Sequence, residues 1–176
     1  MHTSPSLSGH ERTFDPSDVI VTKTDLKGRI TYANRVFLNI SHLKLSDALD
    51  APHSLIRHPS MPRCVFKLLW ERIEAGKEIF AYVLNRAMNG DHYWVFAHVT
   101  PSFDDGGKVS GYHSNRRFPD RKVIEGTIKP LYEELCAIEQ GGGKSGRKDG
   151  MAAAYDALNQ RLQSRGLDYD RFIFSN

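Results

Sequence analysis

The spacing of apolar residues changes character several times along the chain, and each change marks an element. Asp18-Val-Ile-Val-Thr-Lys-Thr24 is rich in β-branched residues and reads as a strand; Asp25-Leu-Lys-Gly28 reads as a turn and Arg29-Ile-Thr-Tyr-Ala33 as a second strand. Asn34 follows in position to cap a short helix over residues 35–40. Residues 41–60 show no sustained period, and Pro52 and Pro59 limit any helix there to a turn or two. Ser60 is placed to cap the next helix, Pro62 suits its first turn and Gly76 its end; along it Val65, Leu68, Leu69 and Ile73 share a face with Phe66 and Trp70 beside them. Two long strand runs follow, 78–88 and 91–103, joined at Asn89-Gly90, a dipeptide that favours a type I′ hairpin turn. Asp104-Asp-Gly-Gly107 makes a further turn before a last strand over 108–116. The pattern predicts an α+β fold: about five strands in an antiparallel sheet, with helices inserted between strands two and three.

The fourth strand carries apolar groups on both sides. Tyr93, Val95, Ala97 and Val99 point one way, and His92, Trp94, Phe96 and His98 the other. One side suits a core shared with the inserted helices; the other needs a cover, such as a terminal helix or a second subunit. C-terminal to the sheet, Val123, Ile124, Ile128, Leu131, Tyr132, Leu135 and Ile138 form a helical stripe that Pro130 should kink or interrupt. The expected organisation is an N-terminal arm (1–15), a sheet domain (16–118), a flanking helix (119–140), a Gly-rich linker (141–150), and an amphipathic helix with an aromatic tail (151–176). Phe172, Ile173 and Phe174 suit a tail that docks.

Composition changes this picture little. In 176 residues the apolar fraction of 40% and charged fraction of 26% are those of an ordinary globular protein, and the net charge of +3 is spread rather than concentrated. The densest basic clusters are Arg116-Arg117 with Arg121-Lys122, and Lys144 with Arg147-Lys148; these read as solvated rims, and no nucleic-acid partner is expected. Cys64 and Cys136 form no zinc or disulfide pattern, which fits a reducing compartment. The polar first residues lack a secretion signal and no apolar run approaches the roughly 20 residues of a membrane span, so a cytoplasmic protein is expected.

Catalytic and metal-binding motifs are absent from the sequence. Gly143-Lys144-Ser145 looks like the end of a phosphate loop, but Ile138 stands where its first glycine belongs and a helix precedes it. No nucleophile–base or metal spacing occurs. Each of His53, His58, His92, His98 and His113 reads by itself as an ordinary polar group; His53 with His58 beside a pocket offers a haem ligand or a cofactor contact. The segment Ile56-Arg57-His58-Pro59-Ser60-Met61-Pro62 places a fixed cation and a titratable ring just before the N-terminus of the longest core helix, where a pyrophosphate or carboxylate could lie. A Pro-bounded surface turn accounts for the same residues.

Several stretches occur together in an order that resembles the PAS domain of bacterial aerotaxis (energy-taxis) receptors. They are Thr24-Asp25-Leu26, Ile30-Thr31, Ala33-Asn34, Arg57-His58-Pro59, Met61-Pro62, Phe66 with Trp70, Asn85-Arg86, Asn89-Gly-Asp-His-Tyr-Trp-Val95, Ser110-Gly-Tyr112 and Pro130-Leu131-Tyr132. The resemblance covers roughly residues 11–135. It implies a PAS fold with noncovalent FAD whose redox state is the signal. The family's flavin-linked positions fall on Asn34, Arg57, His58, Phe66 and Tyr93, with Ser60, Trp70 and Asn85 as further contacts. Ser60 replaces an Asp usual in the family and Ile79 a Trp; the Asn-Cys-Arg motif of flavin photoreceptors is lacking, which makes Cys64 a core residue.

Two functions fit these expectations. One is a bacterial sensor, related to chemotaxis and motility signalling, whose FAD (haem being the lesser fit) biases an interaction with a protein partner. The other is a cofactor-free interaction module that recruits a histidine kinase or chemoreceptor, its pocket filled by Phe66, Trp70 and Tyr93. In either, a partner or a second copy would use the outer sheet face and C-terminal helices; an enzyme is not expected.

Overall fold

The computed structural model describes residues 6–141 and 147–175. They fall into two compact units, one containing the chain up to His58 together with Ile73–Pro119, the other Pro59–Arg72 together with the residues from Asp120 onward.

The first unit is built on five strands: β1 (Ile20–Thr24), β2 (Ile30–Ala33), β3 (Ile79–Arg86), β4 (His92–Phe103) and β5 (Val109–Arg117). They form one antiparallel sheet in the order β2-β1-β5-β4-β3, with short helices α1 (Arg35–Ser41) and α2 (Leu45–Ala48) and a 3₁₀ turn (His53–Ile56) between β2 and β3. Pairing of Asn85 with Tyr93, Ala97 with Arg116, Ile20 with Arg116, and Thr22 with Ser114 sets the register. Because facing residues share a side, Tyr93, Val95, Ala97 and Val99 lie on one face with Arg116, Ile20 and Thr22. That face is the core, joined by Phe37, Ile30, Ala48 and Ile56, all buried.

Asn34 ties α1 to the sheet. Its side-chain oxygen accepts the Phe37 N–H at 3.0 Å and the Val21 N–H at 3.1 Å, and its amide donates to the Val19 carbonyl at 2.7 Å. One residue thus caps the helix and pins the strand beneath it.

The Asn89-Gly90 turn differs from the type I′ expectation. Only Gly90 is left-handed (φ 93°), and the Gly90 N–H to Ala87 carbonyl and Ala87 N–H to Asp91 carbonyl bonds enclose a three-residue loop. Asn89 instead spends its side chain on Asp91, donating to the carboxylate at 2.7 Å and accepting the Asp91 N–H at 3.2 Å. A Cβ on Gly90 would stand 2.2 Å from the Ser6 carbonyl, because the N-terminal arm runs alongside. Of the arm expected at 1–15, residues 1–5 lie outside the described residues, while Ser8 and Arg12 donate backbone bonds to Gly90 and His92.

The second unit contains α3 (Arg63–Glu74) as far as Arg72, a short α4 (Arg121–Val123), α5 (Lys129–Gly141), α6 (Arg147–Ser164) and α7 (Tyr169–Phe174). Between α4 and α5 the chain makes a π turn, Ile124–Ile128. This is the interruption expected from Pro130: a ring there would strike the Gly126 carbonyl of a regular helix, and a wider turn relieves it. Residues 142–146 of the expected linker lie outside the described residues; 147–150 begin α6, where a Cβ on Gly150 would lie 2.3 Å from the Glu139 carbonyl. That glycine serves a close helix contact. The aromatic tail is α7, whose Tyr169, Phe172 and Ile173 are buried and whose Asp170 receives Arg72 at 3.0 Å.

An anion does sit at the N-terminus of α3, and it belongs to the chain. The Glu139 carboxylate, with its side chain 7% exposed, accepts the Cys64 N–H at 2.8 Å and Arg63 Nε at 3.0 Å. Ser60, expected as the cap, is exposed, and its carbonyl accepts Cys136 Sγ at 3.3 Å. Glu139→Ala should cost about 2–3 kcal/mol, since hydrogen bonds to a charged group are lost and the α3 N–H is left uncapped. Glu139→Gln should lose well under half of that; equal losses in urea melts of the two variants would show that the cap is not what Glu139 supplies.

Candidate functional site

On the inner face of the first unit, polar groups converge where the sequence alone shows mostly apolar alternation. Arg116 of β5 is 3% exposed. Its Nη2 donates to Thr22 Oγ1 at 2.5 Å and lies 2.6 Å from His53 Nε2, while the guanidinium carbon stands 5.6 Å from the Phe37 ring centre. Thr22 Oγ1 and His53 Nε2 are themselves 3.2 Å apart. Burial, and then the neighbouring Arg116 charge, hold the His53 ring down at about 3, so at neutral pH it is uncharged and accepts from Arg116. Burial lowers Arg116 to about 10, which leaves it a cation.

Three buried donors on this face have no hydrogen-bond partner: Arg116 Nη1, the Tyr93 hydroxyl and Asn85 Nδ2. Asn85 and Tyr93 face each other across β3 and β4. Burial raises the Tyr93 hydroxyl, against the pull of Arg116 and Arg12, so it stays protonated. Buried polar groups are normally satisfied, and an unmade bond costs about 1–3 kcal/mol each. Three donors beside Val83 and Val95 fit a largely apolar ligand that carries several acceptor atoms.

The residues expected as a site divide among different places. Asn34 has its carbonyl oxygen committed to two backbone N–H groups. Arg57 forms a backbone bridge with Asn85, which brings the Arg57-His58 turn to the end of β3. His58 is buried edge-on against His92, ring centres 5.7 Å apart, and is held down at about 4 by burial, then His92, then Arg86. His53 and His58 are thus in separate environments, and His53 Nε2 is already engaged. Phe66 and Trp70 are half-buried on α3; with Ser60 they belong to the second unit. Cys64 is fully buried, its thiol pushed up to about 12 by burial and then by Glu139, as suits a core residue. Among the described residues no group of three or more His, Cys, Asp or Glu is placed to hold a metal ion.

Arg116 corrects the sequence reading most. Grouped with Arg117, Arg121 and Lys122 it looks like part of a solvated rim, yet only Arg117 of that strand end is exposed. The two-residue period along β5 carried the signal: Arg116 is in phase with Tyr112 and Ser114, the inward set.

A five-stranded antiparallel sheet with helices between its second and third strands is the PAS architecture, and residues 30–115 match the family model described as the PAS fold. The chain therefore carries a PAS domain. More closely, it is 35% identical over 138 residues to the aerotaxis receptor of Escherichia coli, a match covering 78% of this chain and 27% of the receptor. It is 24% identical over 103 residues to a nitrogen fixation regulatory protein of Klebsiella pneumoniae, covering 58% of this chain and 21% of that protein. The chain thus spans about a quarter of the curated relatives it matches. Solved structures with the same fold include a light-oxygen-voltage domain studied with a flavin analogue, at TM-score 0.58 and 18% identity over 67% of this chain and 90% of that one. The dark structure of the light-oxygen-voltage domain of the photoreceptor Aureochrome1 gives TM-score 0.56 and 22% identity over 65% and 86%.

Proposed function

We propose that this chain is a signal-sensing PAS domain that holds a flavin, FAD, noncovalently against the inner face of its sheet and passes on its state through protein contacts. The observation that carries this reading is the set of buried, unpartnered donors: the Tyr93 hydroxyl, Asn85 Nδ2 and Arg116 Nη1. In this reading Tyr93 and Asn85 donate to ring acceptors, Val83 and Val95 supply apolar contact, and Arg57 with His58 closes the end of β3. A bound flavin supplies a ring whose electron content and hydrogen-bonding pattern change with oxidation state. This site uses residues of the first unit alone; Ser60, Phe66 and Trp70 lie in the second.

Kinship to an aerotaxis receptor supports a place in bacterial chemotaxis or related signalling, without catalysis. None of the helices among the described residues is long and apolar enough to cross a membrane. We place the domain in the cytoplasm, with a receptor, a kinase or a second copy of the chain as its partner. On the outer sheet face Tyr82, Leu84 and Trp94 are buried, which leaves the part-exposed cluster in which Phe80 stacks on His98 at 4.1 Å and on Phe96 at 5.8 Å for such a contact.

The test is the absorption spectrum of the purified protein, native and after denaturation. Flavin bands that shift on release support the reading; a colourless protein that takes up no added FAD overturns it. Tyr93→Phe should bind FAD about tenfold more weakly, the equivalent of one hydrogen bond to a polar acceptor.

A further inference from the structure

We infer that Arg116 is the charge partner of the ligand: the site is built for a conjugated ring that presents an anionic, or charge-gathering, oxygen or nitrogen edge to its guanidinium. This inference deepens the reading above and rests on it for the site, though not for the identity of the ligand as FAD.

A guanidinium is a planar fork whose N–H groups favour carboxylate-like or paired acceptors. Here one arm of the fork is used and the other is not: Nη2 meets Thr22 and His53, whereas Nη1 is buried without a partner. Both acceptors that Nη2 meets are neutral. Among the described residues no carboxylate forms an ion pair with Arg116, although the side chain is 3% exposed. Phe37 gives the cation an aromatic surface at 5.6 Å, a modest attraction for a desolvated charge. An isolated buried ion is among the costliest groups a core can hold, and one without a protein counter-charge is accounted for when a ligand supplies it. The unpartnered Tyr93 hydroxyl lies on the same face and feels the Arg116 charge, so the ligand meets a second donor there.

The groups around this cation can pair with each other in its absence. Thr22 Oγ1 and His53 Nε2 are 3.2 Å apart, so each can satisfy the other once Arg116 is gone. A structural strut and a ligand partner therefore predict opposite signs. If Arg116 holds the core together, replacing it destabilises the empty protein; if it awaits a ligand's charge, replacing it stabilises the empty protein and weakens binding.

The experiment compares wild type, Arg116→Met, Arg116→Gln and Arg116→Lys, each refolded free of small molecules, by thermal unfolding and by titration with FAD. We expect Arg116→Met to melt higher than empty wild type and to bind FAD at least tenfold more weakly, with Arg116→Lys intermediate in binding. Bound FAD in Arg116→Met should also be harder to reduce, because the charge that favours the electron-rich form is gone. Lower melting of both Arg116→Met and Arg116→Gln, or loss of their cooperative transition, would mark Arg116 as a strut and overturn the inference, as would unchanged FAD affinity. Should wild type take up no FAD while Arg116→Met melts higher, the flavin reading fails and the uncompensated-cation inference stands.

Discussion

Lowering the pH from 7 to 4.5 should destabilise this protein by about 3–5 kcal/mol, most of it above pH 5, where ordinary carboxylates are still largely ionised. The cause is two histidines that the fold keeps neutral. His53 is held down at about 3 by burial and by Arg116, and His58 at about 4 by burial, His92 and Arg86. In the unfolded chain both take up a proton near their ordinary value of about 6.5. Between about 6.5 and about 4, then, the unfolded state binds up to two more protons than the native state. Stability must rise with pH across that window and fall on acidification, with a limiting slope of ~2.7 kcal/mol per pH unit for the pair. Asp91 adds little here: hydrogen bonds from Ser8 and then Asn89 hold it at about 2, so what it contributes is lost only below about 4. Urea midpoints at pH 7, 6, 5 and 4.5 and fixed ionic strength measure the slope. His58→Asn should remove about half of it. A flat profile over this range would mean that neither ring is kept neutral.

Much of the fold is written in local chemistry. Asn34 caps α1 as its position predicts, because an N-cap bond spans three residues. The alternation along β4 assigns its two faces correctly, since strand period needs no knowledge of the rest of the fold. Failures occur where a distant partner decides. At the N-terminus of α3 the Cys64 N–H is accepted by Glu139, far along the chain, and no periodicity announces that. Asn89-Gly90 is a strong two-residue turn signal, yet the neighbouring Asp91 carboxylate draws the Asn89 side chain and leaves only Gly90 left-handed. Gly150 reads as linker in the sequence and is a helix contact in the structure, because a missing side chain means flexibility in one context and close approach in another.

The candidate site was legible in part. Tyr93 and Asn85 came from the resemblance and do share the inner face. Arg116 did not, because a basic cluster near a strand end ordinarily stays in water and composition outweighed phase. The sequence offers His53 as a haem ligand or cofactor contact, but its role as the neutral acceptor of a buried arginine depends on β1, β5 and the 3₁₀ turn meeting. These three segments are far apart in sequence.

Phe37→Ala should cost about 3–5 kcal/mol, and the loss should be coupled to Arg116. Phe37 is wholly buried on α1, and its ring centre lies 6.1 Å from that of His53 and 5.6 Å from the Arg116 guanidinium carbon. Truncation removes the buried ring, opens a cavity next to a polar cluster and withdraws the aromatic face from a desolvated cation. The first two effects occur with any residue at position 116; the third needs the charge. A double-mutant cycle with Arg116→Met therefore separates them: a coupling of about 0.5–2 kcal/mol is expected, whereas purely additive losses would show that the ring and the cation share a location without interacting. Phe37→Leu, which keeps most of the volume, should lose less than half as much stability yet retain little of the coupling. That divergence is the sharper result, because packing alone cannot produce it. If Phe37→Leu instead preserves the full coupling, the aromatic face contributes nothing to holding Arg116, and the cation rests on Thr22 and His53 alone until a ligand binds.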